Sequence, residues 1–71
     1  MPKLSDLIGG KIVSIERRSV DYEEEGCASM EGCEIVEITV EKDGRKYLLK
    51  IISWDFEGYM SGLDTEVELI E

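Results

Sequence analysis

The sequence predicts an all-β, mainly antiparallel protein: a four-stranded meander or small half-barrel with one or two short helical turns. Two runs rich in β-branched and aromatic residues flank Asp43 and Gly44, a dipeptide that suits a two-residue hairpin turn. A third β-rich run, residues 11–18, precedes them, and a short alternating run, residues 65–71, follows. The length of 71 residues predicts one small β domain, residues 1–71.

The N-terminal segment predicts one helical turn and then the first strand. Ser5 is a candidate N-cap for a turn that runs to Ile8 and ends at Gly9. Residues 11–18 follow as a strand in which apolar and polar residues alternate imperfectly. We therefore expect a β-bulge or break near residues 17–19.

The central hairpin has the most specific prediction. If Asp43 and Gly44 form the turn, the length of the loop determines which residues face each other. The expected pairs are Lys42 with Arg45, Glu41 with Lys46, Val40 with Tyr47, Ile38 with Leu49, Glu37 with Lys50, and Val36 with Ile51. This register puts an unbroken apolar surface on one face and opposite-charge pairs on the other, and a one-residue slip would destroy both patterns.

The charged face of this hairpin also carries three apolar residues, Ile35, Leu48 and Ile52. One interpretation is that they are ordinary scattered surface residues. The other is that a further segment of the chain covers part of this face, or that it is a self-association patch.

Residues 53–64 contain two glycines and irregularly spaced aromatic residues, which predicts a turn-rich connection or a single helical turn. Trp54, Phe56 and Tyr59 in this segment have two interpretations. They cover the core of a small β domain, or they are exposed and anchor a protein interface.

The net charge of −9 and the absence of histidine exclude several classes of function. Seventeen acidic and eight basic residues argue against direct binding to nucleic-acid phosphates or to anionic lipid. Without histidine there is no histidine-dependent nucleophile and no Cys₂His₂ zinc site, and no carboxylate pair stands out as an acid–base pair. We expect no enzymatic activity, no cofactor and no metal. No apolar run resembles a membrane span or a signal peptide, so the expected location is cytoplasmic.

Both cysteines lie in one acidic segment, residues 21–34. Cys27 and Cys33 are separated by five residues, whereas zinc and redox motifs usually separate cysteines by two. Free thiols are the preferred interpretation in the cytoplasm, a disulfide across the loop is the first alternative, and a metal site is the last.

The acidic side chains of residues 21–34 have two interpretations. No lysine or arginine occurs between residues 19 and 41, and the order of the carboxylates does not match a calcium-binding loop. The segment is therefore a solvated loop or an anionic patch that docks on a basic protein surface. The candidate partner-binding residues are Asp21, Glu23, Glu24, Glu25, Glu31, Glu34, Trp54, Phe56 and Tyr59.

The leading hypothesis is a small acidic, non-catalytic interaction protein. It would dock on a basic surface, such as the nucleic-acid-binding face of an enzyme that it inhibits. One alternative is a homo-oligomer that binds a small ligand or nucleotide between its subunits. Another is a structural accessory subunit without a separate site.

Overall fold

The computed structural model describes residues 1–56 and 60–71. Four antiparallel strands form one open sheet in the order β1-β2-β3-β4. The strands are β1 (Lys11–Val20), β2 (Cys33–Lys42), β3 (Arg45–Phe56) and β4 (Met60–Leu69). There are two 3₁₀ turns in the described residues: Leu4–Leu7 precedes β1, and Glu24–Gly26 lies between β1 and β2. The predicted all-β meander is confirmed, and its sheet is open.

The predicted register of the central hairpin is confirmed at every pair, from Lys42 facing Arg45 to Val36 facing Ile51. Asp43 and Gly44 have φ angles of 52° and 77°, the left-handed backbone that a type I′ turn requires at both central positions. Because the turn is so short, it leaves only one register for the ten paired positions that follow.

The register divides the sheet into two faces, because residues paired across neighbouring strands point to the same side. The loop face, named for the loop that covers part of it, includes Arg18, Val20, Cys33, Ile35, Glu37, Lys50, Ile52 and Trp54. The open face includes Ile12, Ile15, Val36, Ile38, Val40, Tyr47, Leu49, Ile51, Leu63, Val67 and Leu69.

The buried core lies on the loop face, between the sheet and residues 21–32. Ile35 is completely buried, and Ile52, Cys33 and Val20 surround it. Cys27 packs on this cluster from the loop. Cover by another segment is thus the correct interpretation of Ile35 and Ile52, and that of scattered surface residues is wrong for both.

The irregularity of β1 lies at Val13, and the prediction of a bulge near residues 17–19 is wrong. Ile12 and Ser14 pair with successive residues of β2, so Val13 is the extra residue of a β-bulge. The bulge shifts the alternation by one position, and Ile12 and Ile15 consequently share the open face although they are three residues apart.

The N-terminal turn begins one residue before the predicted cap. Lys3, not Ser5, is the N-cap of the turn Leu4–Leu7. The backbone N–H of Lys3 donates to Oδ2 of Asp6 at 2.8 Å, so the aspartate satisfies this end of the turn.

The prediction of a turn-rich connection is wrong for residues 53–56 and 60–64, since β3 runs to Phe56 and β4 begins at Met60. Residues 57–59 of the predicted segment lie outside the described residues. Trp54 pairs with Gly62 across these two strands. A Cβ atom added to Gly62 would lie 2.0 Å from Cζ2 of Trp54, so the indole lies directly on the glycine backbone. Gly62 therefore makes room for an aromatic side chain within a strand. In the sequence alone, a glycine at this position indicates a turn.

Replacing Gly62 with alanine is expected to displace the indole of Trp54 and to lower the free energy of unfolding by about 1 kcal/mol. Because Trp54 is the single tryptophan of the chain, its fluorescence reports the displacement directly, as a shift of the emission maximum to longer wavelength. Leu63→Ala is the control, since Leu63 lies next to Gly62 on the open face. Equal emission spectra for the two variants would contradict the proposed contact.

Candidate functional site

Residues 21–32 fold over one end of the loop face and are tied to the sheet by a disulfide. Cys27 is bonded to Cys33, the first residue of β2, and their Cα atoms are 5.8 Å apart. Both residues are buried in the core cluster. The preferred interpretation of free thiols is therefore wrong: the structure has no free cysteine among the described residues. The expected compartment favoured thiols, whereas in the structure the loop returns close enough to β2 for the two cysteines to bond.

The backbone of this loop is held by short-range hydrogen bonds. The N–H of Cys27 donates to the carbonyl of Glu24 at 2.8 Å, and the N–H of Glu23 donates to the carbonyl of Cys27 at 2.9 Å. Glu23 and Glu25 have φ angles of 68° and 47°. These left-handed conformations are costly outside glycine, so the surrounding contacts must hold them.

Two arginines at the end of β1 neutralise part of the acidic segment. Nε of Arg17 donates to Oε2 of Glu34 at 2.6 Å. The guanidinium of Arg18 bonds to the carboxylates of both Glu25 and Glu37. A segment without basic residues in sequence thus has two cations beside it in space.

The pKa of Arg18 reflects this double pairing. Desolvation of the guanidinium lowers the pKa, but hydrogen bonds and electrostatic attraction to Glu25, together with those to Glu37, outweigh it. The pKa is therefore raised above its ordinary value, and Arg18 remains charged as a bridge between the loop and β2.

Three carboxylates of the loop remain exposed without an ion pair in the described part of the chain: those of Asp21, Glu23 and Glu24. Glu24 accepts a long hydrogen bond, 3.3 Å, from the backbone N–H of Asp21. Glu31 lies nearby and is engaged in a polar or electrostatic interaction. The net negative charge of the loop is therefore concentrated around Asp21 and the 3₁₀ turn that follows.

An open groove of about 830 Å³ lies beside these residues, where β1 ends and β2 begins. Asp21, Glu31 and Glu34 line it together with Trp54, and none of its described lining residues is basic. Carboxylates and an indole ring are groups that attract lysine and arginine side chains. The groove is thus suited to cationic groups and unsuited to phosphates.

Among the three predicted aromatic residues, only Trp54 can be placed in this site. It is partly buried and packs against the core cluster, and it also lines the groove. Phe56 is placed by its backbone alone, at the end of β3, and Tyr59 lies outside the described residues. Sequence reasoning missed Arg17 and Arg18 as part of the site, although their position just before the acidic segment was a usable signal.

The described residues contain no group of three or more cysteine or acidic side chains arranged to hold a metal. They also contain no helix with the length and apolarity needed to span a membrane. The chemistry of the site comes from carboxylates, two arginines, one indole ring and a disulfide. Its function is argued from these groups, because no protein-family model, curated protein or solved structure matches the chain.

Proposed function

We propose that the protein is a small non-catalytic interaction module that docks its acidic loop on a basic surface of a partner protein. The observation that carries this proposal is the exposed acid of Asp21, Glu23 and Glu24, whose carboxylates make no ion pair with the described residues. Asp21 also lines the groove, together with Trp54. Trp54 adds an apolar and aromatic contact of the kind that dominates binding energy at interfaces.

The distribution of charge along the sheet supports docking by this end of the molecule. Five of the eight basic residues lie at or near the opposite end, around the N-terminal turn and the β2–β3 turn: Lys3, Lys11, Lys42, Arg45 and Lys46. The described chain is 42 Å long, and charges are screened over roughly 8 Å at physiological ionic strength. A partner at the acidic end therefore experiences the carboxylates with little effect from those cations.

The partner that best fits this charge is a protein surface rich in lysine and arginine. Nucleic-acid-binding surfaces have this composition, because they neutralise backbone phosphates. A protein that occupies such a surface with carboxylates excludes nucleic acid from it, which is the action of an inhibitor. The alternative of a nucleotide ligand loses support, since the carboxylates of the groove repel phosphates.

Reversing two of the loop charges tests the proposal. Asp21→Lys/Glu23→Lys changes exposed residues whose carboxylates make no ion pair with the described residues, so the fold is expected to persist. Binding to a basic partner is expected to weaken on the order of tenfold or more, because attraction is replaced by repulsion. Glu66→Lys/Glu68→Lys on β4 is the matched control, with the same change in net charge at another exposed site.

The measurement is capture of proteins by the immobilised chain from a nuclease-treated lysate, with elution by steps of salt and by duplex DNA. The proposal predicts proteins that the wild type and the β4 variant retain, that the loop variant loses, and that duplex DNA displaces. Retention of the same proteins by the loop variant would exclude docking through this loop.

A further inference from the structure

The open face of the sheet is apolar and uncovered over most of its area in the described structure. Ile15 and Leu63 on this face are 61% and 62% exposed, and Ile12 and Leu69 are also exposed. The apolar open-face residues of the central strands β2 and β3 are half-buried, and Val40 is buried because its Cγ1 lies against Gly10, where the chain enters β1. Residues 21–32 pack on the other side of the sheet, and among the described elements each strand makes its extensive contacts with its neighbours in the sheet.

The charged side chains described on the open face lie towards its two ends, with Lys42 and Arg45 beside the β2–β3 turn. The two central rows of this face contain only apolar and tyrosine side chains: Ile12, Val40, Tyr47 and Leu69, then Ile15, Ile38, Leu49 and Val67. Towards the loop end, Arg17 and Glu34 lie on this face and bond to each other. Two such faces can therefore meet without burying an unpaired charge in the central rows.

We propose that two copies of the chain pack open face against open face and form a β-sandwich homodimer. Two sheets packed in this way lie about 10 Å apart and share one core. The arrangement keeps both acidic loops on the outer sides, where their mutual repulsion is screened by solvent. The proposal is argued independently of the docking function, whose acidic loop lies on the other side of the sheet.

The exposed area of the chain supports a second copy as the occupant. The accessible surface is 5112 Å², whereas roughly 4450 Å² is expected for a compact monomer of 8.0 kDa. The whole molecule measures 42 by 18 Å, about 750 Å² in projection, so a contact along its full length approaches the roughly 800 Å² per partner of a standard stable interface. A second copy that covers most of the length of the sheet thus buries an area of the size that a specific dimer requires.

Pairing through the edges of the sheet is the less favourable way to associate. The edge strand β4 carries three exposed acidic residues, Asp64, Glu66 and Glu68. The other edge strand, β1, contains a bulge at Val13. Charges and bulges on edge strands hinder the addition of another strand, whereas the central rows of the open face carry no charged side chain.

A matched pair of variants on β1 tests this dimer. Ile15→Lys places a charge in a central row of the proposed interface, and Ser14→Lys places the same charge one residue away on the loop face, where Ser14 is exposed. In sedimentation equilibrium, the wild type and Ser14→Lys should approach twice the 8.0 kDa chain mass as concentration rises. The dissociation constant of the Ile15→Lys dimer should be at least tenfold higher than that of the wild-type dimer.

Circular dichroism establishes that each variant is folded, and Ile15→Thr replaces Ile15→Lys if the lysine unfolds the sheet. In a mixture of isotope-labelled and unlabelled wild-type chains, nuclear Overhauser effects between the Leu49 methyl groups of different copies should appear. The proposal is overturned if the wild type remains a monomer up to about 1 mM, the weak end of specific association. Equal dissociation of the two lysine variants, or growth beyond a dimer, would overturn it too.

Discussion

Replacing Ile35 with alanine is expected to lower the free energy of unfolding by about 3 kcal/mol. Ile35 is the largest completely buried side chain, and the small core cluster surrounds it. Truncation would leave a cavity between the sheet and residues 21–32 that the disulfide-bonded loop cannot easily close. A domain of 71 residues is expected to have a free energy of unfolding of only about 4–10 kcal/mol, so the loss at Ile35 is a large fraction of the total.

Urea denaturation followed by circular dichroism measures this loss, and thermal unfolding should show a fall in Tm of roughly 12–24 °C. Ile8→Ala is the control, because Ile8 is 73% exposed and the same atoms are removed from a side chain in solvent. It should change the free energy of unfolding by less than about 0.5 kcal/mol. Equal losses in the two variants would mean that the core is not centred on Ile35.

The central hairpin could be predicted to the residue because its information is local. The φ angles that Asp43 and Gly44 adopt readily select the turn, and the turn selects the register. Which side of the hairpin becomes the core was not predictable in the same way. The face that alternation marks as apolar is the open face, and the buried core forms on the opposite face because residues 21–32, the loop that precedes β2, cover it.

The candidate site was predicted in composition but not in arrangement. The acidic residues of the loop were identified from sequence, whereas the pairing of Arg18 with Glu37 spans 19 positions and depends on the register of β1 with β2. That register contains the bulge at Val13. The imperfect alternation of apolar and polar residues in β1 indicated that a bulge exists but not where it lies. The packing of Trp54 on Gly62 was also not predictable, because glycine in that segment favoured a turn over a strand.

Reducing the disulfide between Cys27 and Cys33 is expected to lower the free energy of unfolding by about 2 kcal/mol. The bond closes a short loop, with a sequence separation of 6, so most of the effect is the freedom that the unfolded chain regains. In the folded state the same bond keeps Cys27 packed over Ile52 and Ile35. Amide exchange should therefore accelerate in residues 21–32 while the β2–β3 pairs remain protected.

Urea denaturation with and without reductant measures the change, and the intact mass after alkylation shows that reduction is complete. Cys27→Ala/Cys33→Ala is the control: its urea midpoint should be independent of reductant. It should also lie slightly below that of the reduced wild type, because two buried sulfur atoms are removed as well. An unchanged urea midpoint for the fully reduced wild type would contradict the prediction. It would mean that the disulfide contributes nothing measurable to stability and that packing alone holds the loop on the sheet.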